Sequence, residues 1–318
     1  MKKLFCIALC CLLLAGCTAP RTISTVTYLD VFDTVTTVMG DSAAAAQIHG
    51  QLQEYHKLFD IYNDYEGVNN LKTVNDNAGV APVKVDSRII DLLTDCVNYY
   101  TLTGGRVNVA MGSVLKLWHE ARQTSLDDPQ RAYIPTQEAL EEAARHTDIS
   151  CLVIDAAAQT VYLTDPEMSL DVGAVAKGWA AQKVAEAAPE GTLISLGGNV
   201  VATGPKGENI PWIVGIQDPK GGDVREKLSL HKGAVVTSGD YQRVFTVNGE
   251  SYPHIIDPAT GMPAMLWSSV TVICDDSGLA DALSTALFLM SLEAGKALAA
   301  QCGAQVVWID KEGRMTAS

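Results

Sequence analysis

The sequence is short of positive charge. Its 318 residues carry 23 Lys and Arg against 37 Asp and Glu, a formal net charge of −14. A nucleic-acid binder needs a basic footprint to replace phosphate counterions, so an extended polyanion partner is excluded; one small phosphorylated ligand at a local site is not. The chain has no C-x-x-C pair, which removes zinc-ribbon and thioredoxin-like readings. It has no G-x-G-x-x-G, G-x-x-x-x-G-K-[ST] or G-x-S-x-G fingerprint, so a dinucleotide fold, a P-loop and a nucleophile elbow are unsupported. There is no apolar run of the ~20 residues that span a bilayer. Low-complexity tracts and repeats are also missing, which argues against a solenoid. What is present, 47% hydrophobic and 19% charged residues, suffices for a sizeable core and excludes bulk disorder.

The N-terminus, MKKLFCIALCCLLLAGCTAP, joins a basic pair to a short apolar run and reads as an export signal over residues 1–16. Leu14-Ala15-Gly16-Cys17 resembles a bacterial lipobox, in which the signal is cut before the cysteine and the thiol receives diacylglycerol. Lipidation at Cys17 would hold the protein on the extracytoplasmic face of a cell membrane, with residues 17–27 as tether. Cleavage removes Lys2 and Lys3 and no acid, so the net charge goes from −14 to −16. Cys96, Cys151, Cys274 and Cys302 remain and read as buried free thiols.

Residues 28–318 read as one α+β domain with two lobes, because strands and helices mix without a strict β-α-β beat. Strands are expected at Tyr28–Met39, Cys151–Ile154, Thr160–Leu163, Gly191–Ala202, Trp212–Gln217, Leu228–His231, Ala234–Ser238, Tyr241–Val247, Ser269–Cys274 and Gln305–Ile309. Helices are expected at Ser42–Tyr62, Ser87–Thr103, from within Val107–His119, and at Thr136–His146, Ala174–Ala188, Gly278–Met290 and Glu293–Cys302.

Three stretches carry residues suited to chemistry. In Ser169-Leu-Asp-Val-Gly-Ala-Val-Ala-Lys-Gly178 a helix begins after a short apolar stretch. Free N–H groups at a helix start attract phosphate, Asp171 is placed as N-cap or ligand acceptor, and Lys177 is expected one turn in, within reach of a phosphate or an acidic partner. A plain capped helix with a surface lysine reads equally well. Asp281 and Thr285, at i and i+4, put a carboxylate and a hydroxyl on one helix face, hard oxygens suited to Mg²⁺. The alternative is a helix-start Asp and a Thr bonded back to its own helix. In Tyr252-Pro-His-Ile-Ile-Asp-Pro-Ala-Thr-Gly261 a turn signal follows His254, a group that titrates near neutrality or serves as a structural histidine.

In chain order the motifs are Phe32-Asp-Thr-Val, Ile61-Tyr-Asn, Gly105-Arg-Val-Asn-Val-Ala-Met-Gly112 with Leu115-x-x-Trp118, and Asp171-Val-Gly-Ala-Val-Ala-Lys-Gly178. Ser195-Leu-Gly-Gly-Asn199, Thr237-Ser-Gly-Asp-Tyr241, His254-Ile-Ile-Asp-Pro-Ala-Thr-Gly261 and Ala280-Asp-Ala-Leu-Ser-Thr285 complete the set. Taken in that order, they resemble the ApbE family, the FAD:protein FMN transferases. The resemblance implies a T-fold-like domain with a flavin site between its lobes. It implies FAD contacts at Tyr62, Arg106, Val107, Asn108, Asp171, Lys177 and Ile255, and Mg²⁺ on Asp281, Thr285 and the carbonyl of Ala174. Three departures are visible: Asn108-Val-Ala-Met-Gly112 where the family often has Asp-Pro-Thr-Val-Gly, Lys177-Gly178 where many relatives have Glu-Gly, and Phe32 in place of a frequent Met.

The activity implied is Mg²⁺-dependent transfer of the FMN moiety of FAD to a threonine hydroxyl of an exported acceptor, releasing AMP, with His254 or Asp281 taking the threonine proton. The acceptor is expected to carry a Ser/Thr-Gly-Ala-Ser/Thr-like stretch and to belong to a membrane redox complex. Two alternatives stand beside this reading: an FAD pyrophosphatase giving FMN and AMP, and a non-enzymatic flavin-binding lipoprotein.

Overall fold

Asp41, in extended conformation, accepts from Ala43 N and Ala44 N at 2.9 and 3.1 Å and so starts the alanine-rich first helix directly behind the first hairpin. The computed structural model describes residues 23–318, so Cys17 and the expected signal lie outside the described residues. The chain opens with β1 (Ser24–Val31) and β2 (Thr34–Gly40), then α1 (Ser42–Phe59), α2 (Leu71–Asp76), β3 (Val83–Lys84) and α3 (Ser87–Leu102). Next come α4 (Gly112–Asp127), α5 (Gln137–Ala144), β4 (Leu152–Asp155), β5 (Thr160–Leu163) and α6 (Ala176–Ala187). They are followed by β6 (Leu193–Leu196), β7 (Asn199–Ala202), β8 (Trp212–Gln217), β9 (Val224–Leu230), β10 (Gly233–Gly239), β11 (Phe245–Val247) and β12 (Glu250–Tyr252). The chain closes with β13 (Ser269–Cys274), α7 (Ser277–Phe288), α8 (Leu292–Gln301), β14 (Gln305–Ile309) and β15 (Met315–Ala317).

Eight strands form one antiparallel sheet in the order β1-β2-β6-β7-β10-β13-β14-β15. Successive side chains along a strand point to opposite faces, and both faces of the central strands are covered. Val236, Val270, Val272, Val306 and Trp308 face the main core with α1, α3, α6 and α7, whereas Val235, Ile273, Val307 and Ile309 face the β8–β9 hairpin. A second, smaller core gathers Met111, Val114, Trp118 and Ala121 of the α4 region with Leu140, Phe245, Val247 and Ile256. The fold is α+β, as expected, and the two cores correspond to the two lobes.

Several boundaries move. Residues 24–27, expected as tether, are strand. Tyr28–Met39 is not one strand but part of a hairpin whose turn residues Phe32 and Asp33 have φ of 53° and 50°. Gly191–Ala202 likewise folds back at Gly197-Gly198, pairing Leu196 with Asn199. The helix expected to end near His119 runs to Asp127, and only Phe245–Val247 of the expected Tyr241–Val247 strand is extended. Among the described residues the four cysteines are free, but only Cys96 is buried; Cys151, Cys274 and Cys302 are partly exposed.

Candidate functional site

The close approach of α6 and α7 creates the centre of the site. Gly178, in the first turn of α6, has no side chain, and a Cβ there would overlap the Ser277 carbonyl oxygen and Asp281 Cβ. That contact lets the Gly178 N–H donate to Asp281 Oδ2 at 2.8 Å. No side chain at Val175 caps α6, so a carboxylate from a neighbouring helix caps it instead. Asp276 fixes the start of α7 by accepting from Leu279 N at 2.7 Å, which orients Asp281 and Thr285 along one face. Asp281 is 5% exposed, and burial raises its pKa against the opposing pull of Lys177, the Gly178 N–H and Asn199.

Asp281 and Thr285 open onto a cavity of about 260 Å³ where the two cores meet. Its wall includes every residue named above for flavin, metal or proton transfer: Tyr62, Arg106, Val107, Asn108, Asp171, Ala174, Lys177, His254, Ile255, Asp281 and Thr285. Their local settings differ from expectation in detail. Asp171 does not cap α6, which begins at Ala176; its Oδ1 accepts from Gly173 N at 2.8 Å and shapes the turn before the helix. Lys177 lies in the first turn of α6, not a turn further in. The Asn108 carboxamide is held by the protein, accepting from Ala110 N and donating to the Thr147 carbonyl, both at 2.9 Å. Arg106 donates to the Thr103 carbonyl at 3.3 Å. Tyr62 stacks on His119 with centroids 5.2 Å apart, and burial followed by the Asp171 charge pushes its phenol up to about 12.

His254 lines the cavity and is exposed to solvent. Its Nδ1 lies 2.9 Å from the Gln242 carbonyl oxygen, which can only accept, so Nδ1 carries the proton and Nε2 keeps the lone pair. Partial desolvation against the cavity wall, then Arg243 and Lys177, lowers its pKa to about 4, which leaves a neutral imidazole at physiological pH. The following Asp257–Gly261 turn forms as the sequence suggests, with Ala259 N donating to Asp257 Oδ1 at 2.9 Å and Gly261 N to the Asp257 carbonyl at 2.8 Å.

Sequence reasoning missed Arg122 and Arg243. Both line the cavity with Arg106 and Lys177, opposite only two wall carboxylates, Asp171 and Asp281. A positively biased hole in an acidic chain suits an anionic ligand. Neither arginine stands in a motif; each is brought in by the fold, one from α4 and one from the turn after β10. Trp118, whose Nε1 donates to the Gly261 carbonyl at 2.7 Å, and Phe245 add an aromatic wall.

The oxygen donors suit a hard divalent ion. Asp281 and Thr285 supply a buried carboxylate and a hydroxyl to the cavity, and Ala174 lies on the same wall. Among the described residues no three His, Cys, Asp or Glu converge, so a cation here relies on hydroxyl, carbonyl and substrate oxygens, the mixed set that Mg²⁺ accepts.

An FAD:protein FMN transferase of Treponema pallidum is 35% identical, covering 86% of this chain and 81% of that protein; one of Escherichia coli K12 is 28% identical, covering 86% and 79%. The structure of the ApbE protein of Thermotoga maritima superposes with a TM-score of 0.83 at 29% identity, covering 93% of this chain and 97% of that one. Flavin transferase ApbE from Vibrio cholerae gives 0.77 at 25% identity, with 94% and 97% covered. The model of the ApbE family matches residues 22–308, the whole of both cores, and with it the chain belongs to the ApbE family.

Proposed function

We propose that this protein transfers the FMN moiety of FAD to a threonine hydroxyl of an exported acceptor protein and releases AMP. The observation that carries this reading is a single cavity that brings together the buried Asp281 carboxylate, the half-buried Thr285, four cationic side chains and a neutral histidine. FAD is the anionic substrate. The threonine oxygen attacks the phosphorus of the FMN half, the bond to the AMP oxygen breaks, and the threonine proton passes to His254 Nε2. Lys177, in the first turn of α6 and on the cavity wall, faces phosphate charge. Asp281, Thr285 and the Ala174 carbonyl would hold Mg²⁺, which when bound offsets phosphate charge and stabilises charge developing on AMP. Tyr62, Val107, Ile255 and the aromatic wall enclose the flat rings, with Arg106 and Asp171 at the polar rim.

The acceptor is a protein with a Ser/Thr-Gly-Ala-Ser/Thr-like stretch, such as a subunit of a membrane redox complex. Lipid on Cys17 would keep both partners at the extracytoplasmic face of the membrane. Among the described residues no helix is long and apolar enough to cross a bilayer.

Mass spectrometry of such an acceptor after incubation with the enzyme, FAD and Mg²⁺ tests the proposal. An added FMN mass with an equal yield of AMP is expected. Free FMN and AMP formed equally well without acceptor would instead identify a pyrophosphatase, and no turnover at all a flavin-binding protein.

A further inference from the structure

The cavity wall made by Thr34 and Tyr62 rests on a chain of hydrogen bonds that none of the roles above uses. Phe32 and Asp33, at the tip of the β1–β2 hairpin, both have positive φ. That conformation strains a side chain as large as Phe and persists only when the surroundings hold it. Here the Phe32 N–H donates to His56 Nδ1 at 3.1 Å, and the two rings meet edge-on with centroids 5.8 Å apart. An N–H can only donate, so Nδ1 is the bare nitrogen and Nε2 carries the proton. His56 Nε2 then donates to the Tyr65 hydroxyl oxygen at 3.4 Å, and the Tyr65 hydroxyl donates to Asp60 Oδ2 at 2.7 Å. Asp60 Oδ1 accepts from the N–H groups of Tyr62 and Asn63 at 2.7 and 3.1 Å. Each proton has one donor and one acceptor, so the chain runs in one direction and needs one tautomer.

We infer that His56, which does not itself line the cavity, is a positioning residue for flavin binding: it ties the strained Phe32–Asp33 turn, and Thr34 beside it, to the loop that presents Tyr62. Gly197 completes the arrangement, since a Cβ there would lie 2.7 Å from Thr34 Oγ1. The inference rests on the reading that this cavity takes FAD.

Two measurements test it. Nitrogen NMR of the histidines in the ligand-free protein is expected to show His56 with Nε2 protonated and Nδ1 bare; the opposite tautomer overturns the proposal. Calorimetric titration with FAD and Mg²⁺ is expected to give a Kd about five- to tenfold higher for His56→Phe, the size of one or two hydrogen bonds, with kcat at saturating FAD within about twofold of wild type. Tyr65→Phe, which cuts the far half of the chain, should weaken FAD similarly. His56→Asn, whose Oδ1 can take the Phe32 N–H but whose shorter side chain does not reach Tyr65, should recover only part of the loss, to a Kd about two- to fourfold above wild type. Unchanged affinity in His56→Phe, or no rescue by Asn, overturns the role of His56 alone. A wild-type protein that binds no FAD brings down the flavin reading and this role together.

Discussion

Gly178 is the residue on which the site closes, because only hydrogen fits between α6 and the Asp281 side chain. Gly178→Ala is expected to push the helices apart, costing about 1–3 kcal/mol in denaturant unfolding and most of the transfer activity. Asp281→Asn should separate stability from function. Burial raises the Asp281 pKa above its unfolded value, so the folded state holds that proton longer and loses stability as pH rises past the ordinary carboxylate range. At neutral pH the charged form is therefore a burden. The amide removes it and still accepts from Gly178, so melting temperature should hold or rise while transfer falls on the order of 100-fold. His254 has the opposite sign. Its folded pKa lies below its unfolded one, so the unfolded chain binds the proton first, and stability is lost as pH falls from about 6.5 towards about 4. Acid unfolding of His254→Gln should be less steep across that window, and the acid limb of the wild-type kcat/KM profile should lie below pH 6. The sequence showed Asp281 and Thr285 because spacing along one helix suffices to pair them. It did not show Arg122 and Arg243, whose convergence depends on elements more than a hundred residues apart.

Elements were legible where one local device sets them. Asp276 accepting from Leu279 N starts α7, whereas α2, closed by a capping box of Asn70 and Thr73, was not among the expected helices because six residues carry too little periodicity. Asp276→Ala should cost about 1 kcal/mol and lower transfer as well, because the cap sets the rotation of the helix that carries Asp281. The matching measurements are the urea midpoint and the initial rate. Hairpins were harder. Tyr28–Met39 and Gly191–Ala202 each carry enough β-formers to read as one strand, and the turn at Phe32-Asp33 uses residues that rarely take positive φ. That turn is held from outside, by His56, so no property of the two residues announces it.

At the scale of the molecule, one cavity depends on two cores meeting. Trp118 anchors the smaller core, packing within it and donating to the Gly261 carbonyl at the end of the His254 segment. Trp118→Phe should lose about 1 kcal/mol with the hydrogen bond, and Trp118→Ala about 3–5 kcal/mol with the packing. In both, the KM for FAD should rise, since the second wall shifts relative to the sheet; steady-state kinetics beside thermal melts reads both effects. The α+β class and the order of motifs were visible in the chain because patterning repeats locally. Two lobes were expected, but which elements build the smaller one was not legible, because α4 and β11 come together across more than a hundred residues. Charge placement bears on how substrate arrives. The four cations line an inlet, while acids outnumber bases across the rest of the chain. A negatively charged molecule drifting against the flanks is turned away, and attraction begins only at the opening. The protein thereby directs anions by route, while the choice among phosphates falls to the fit of the cavity.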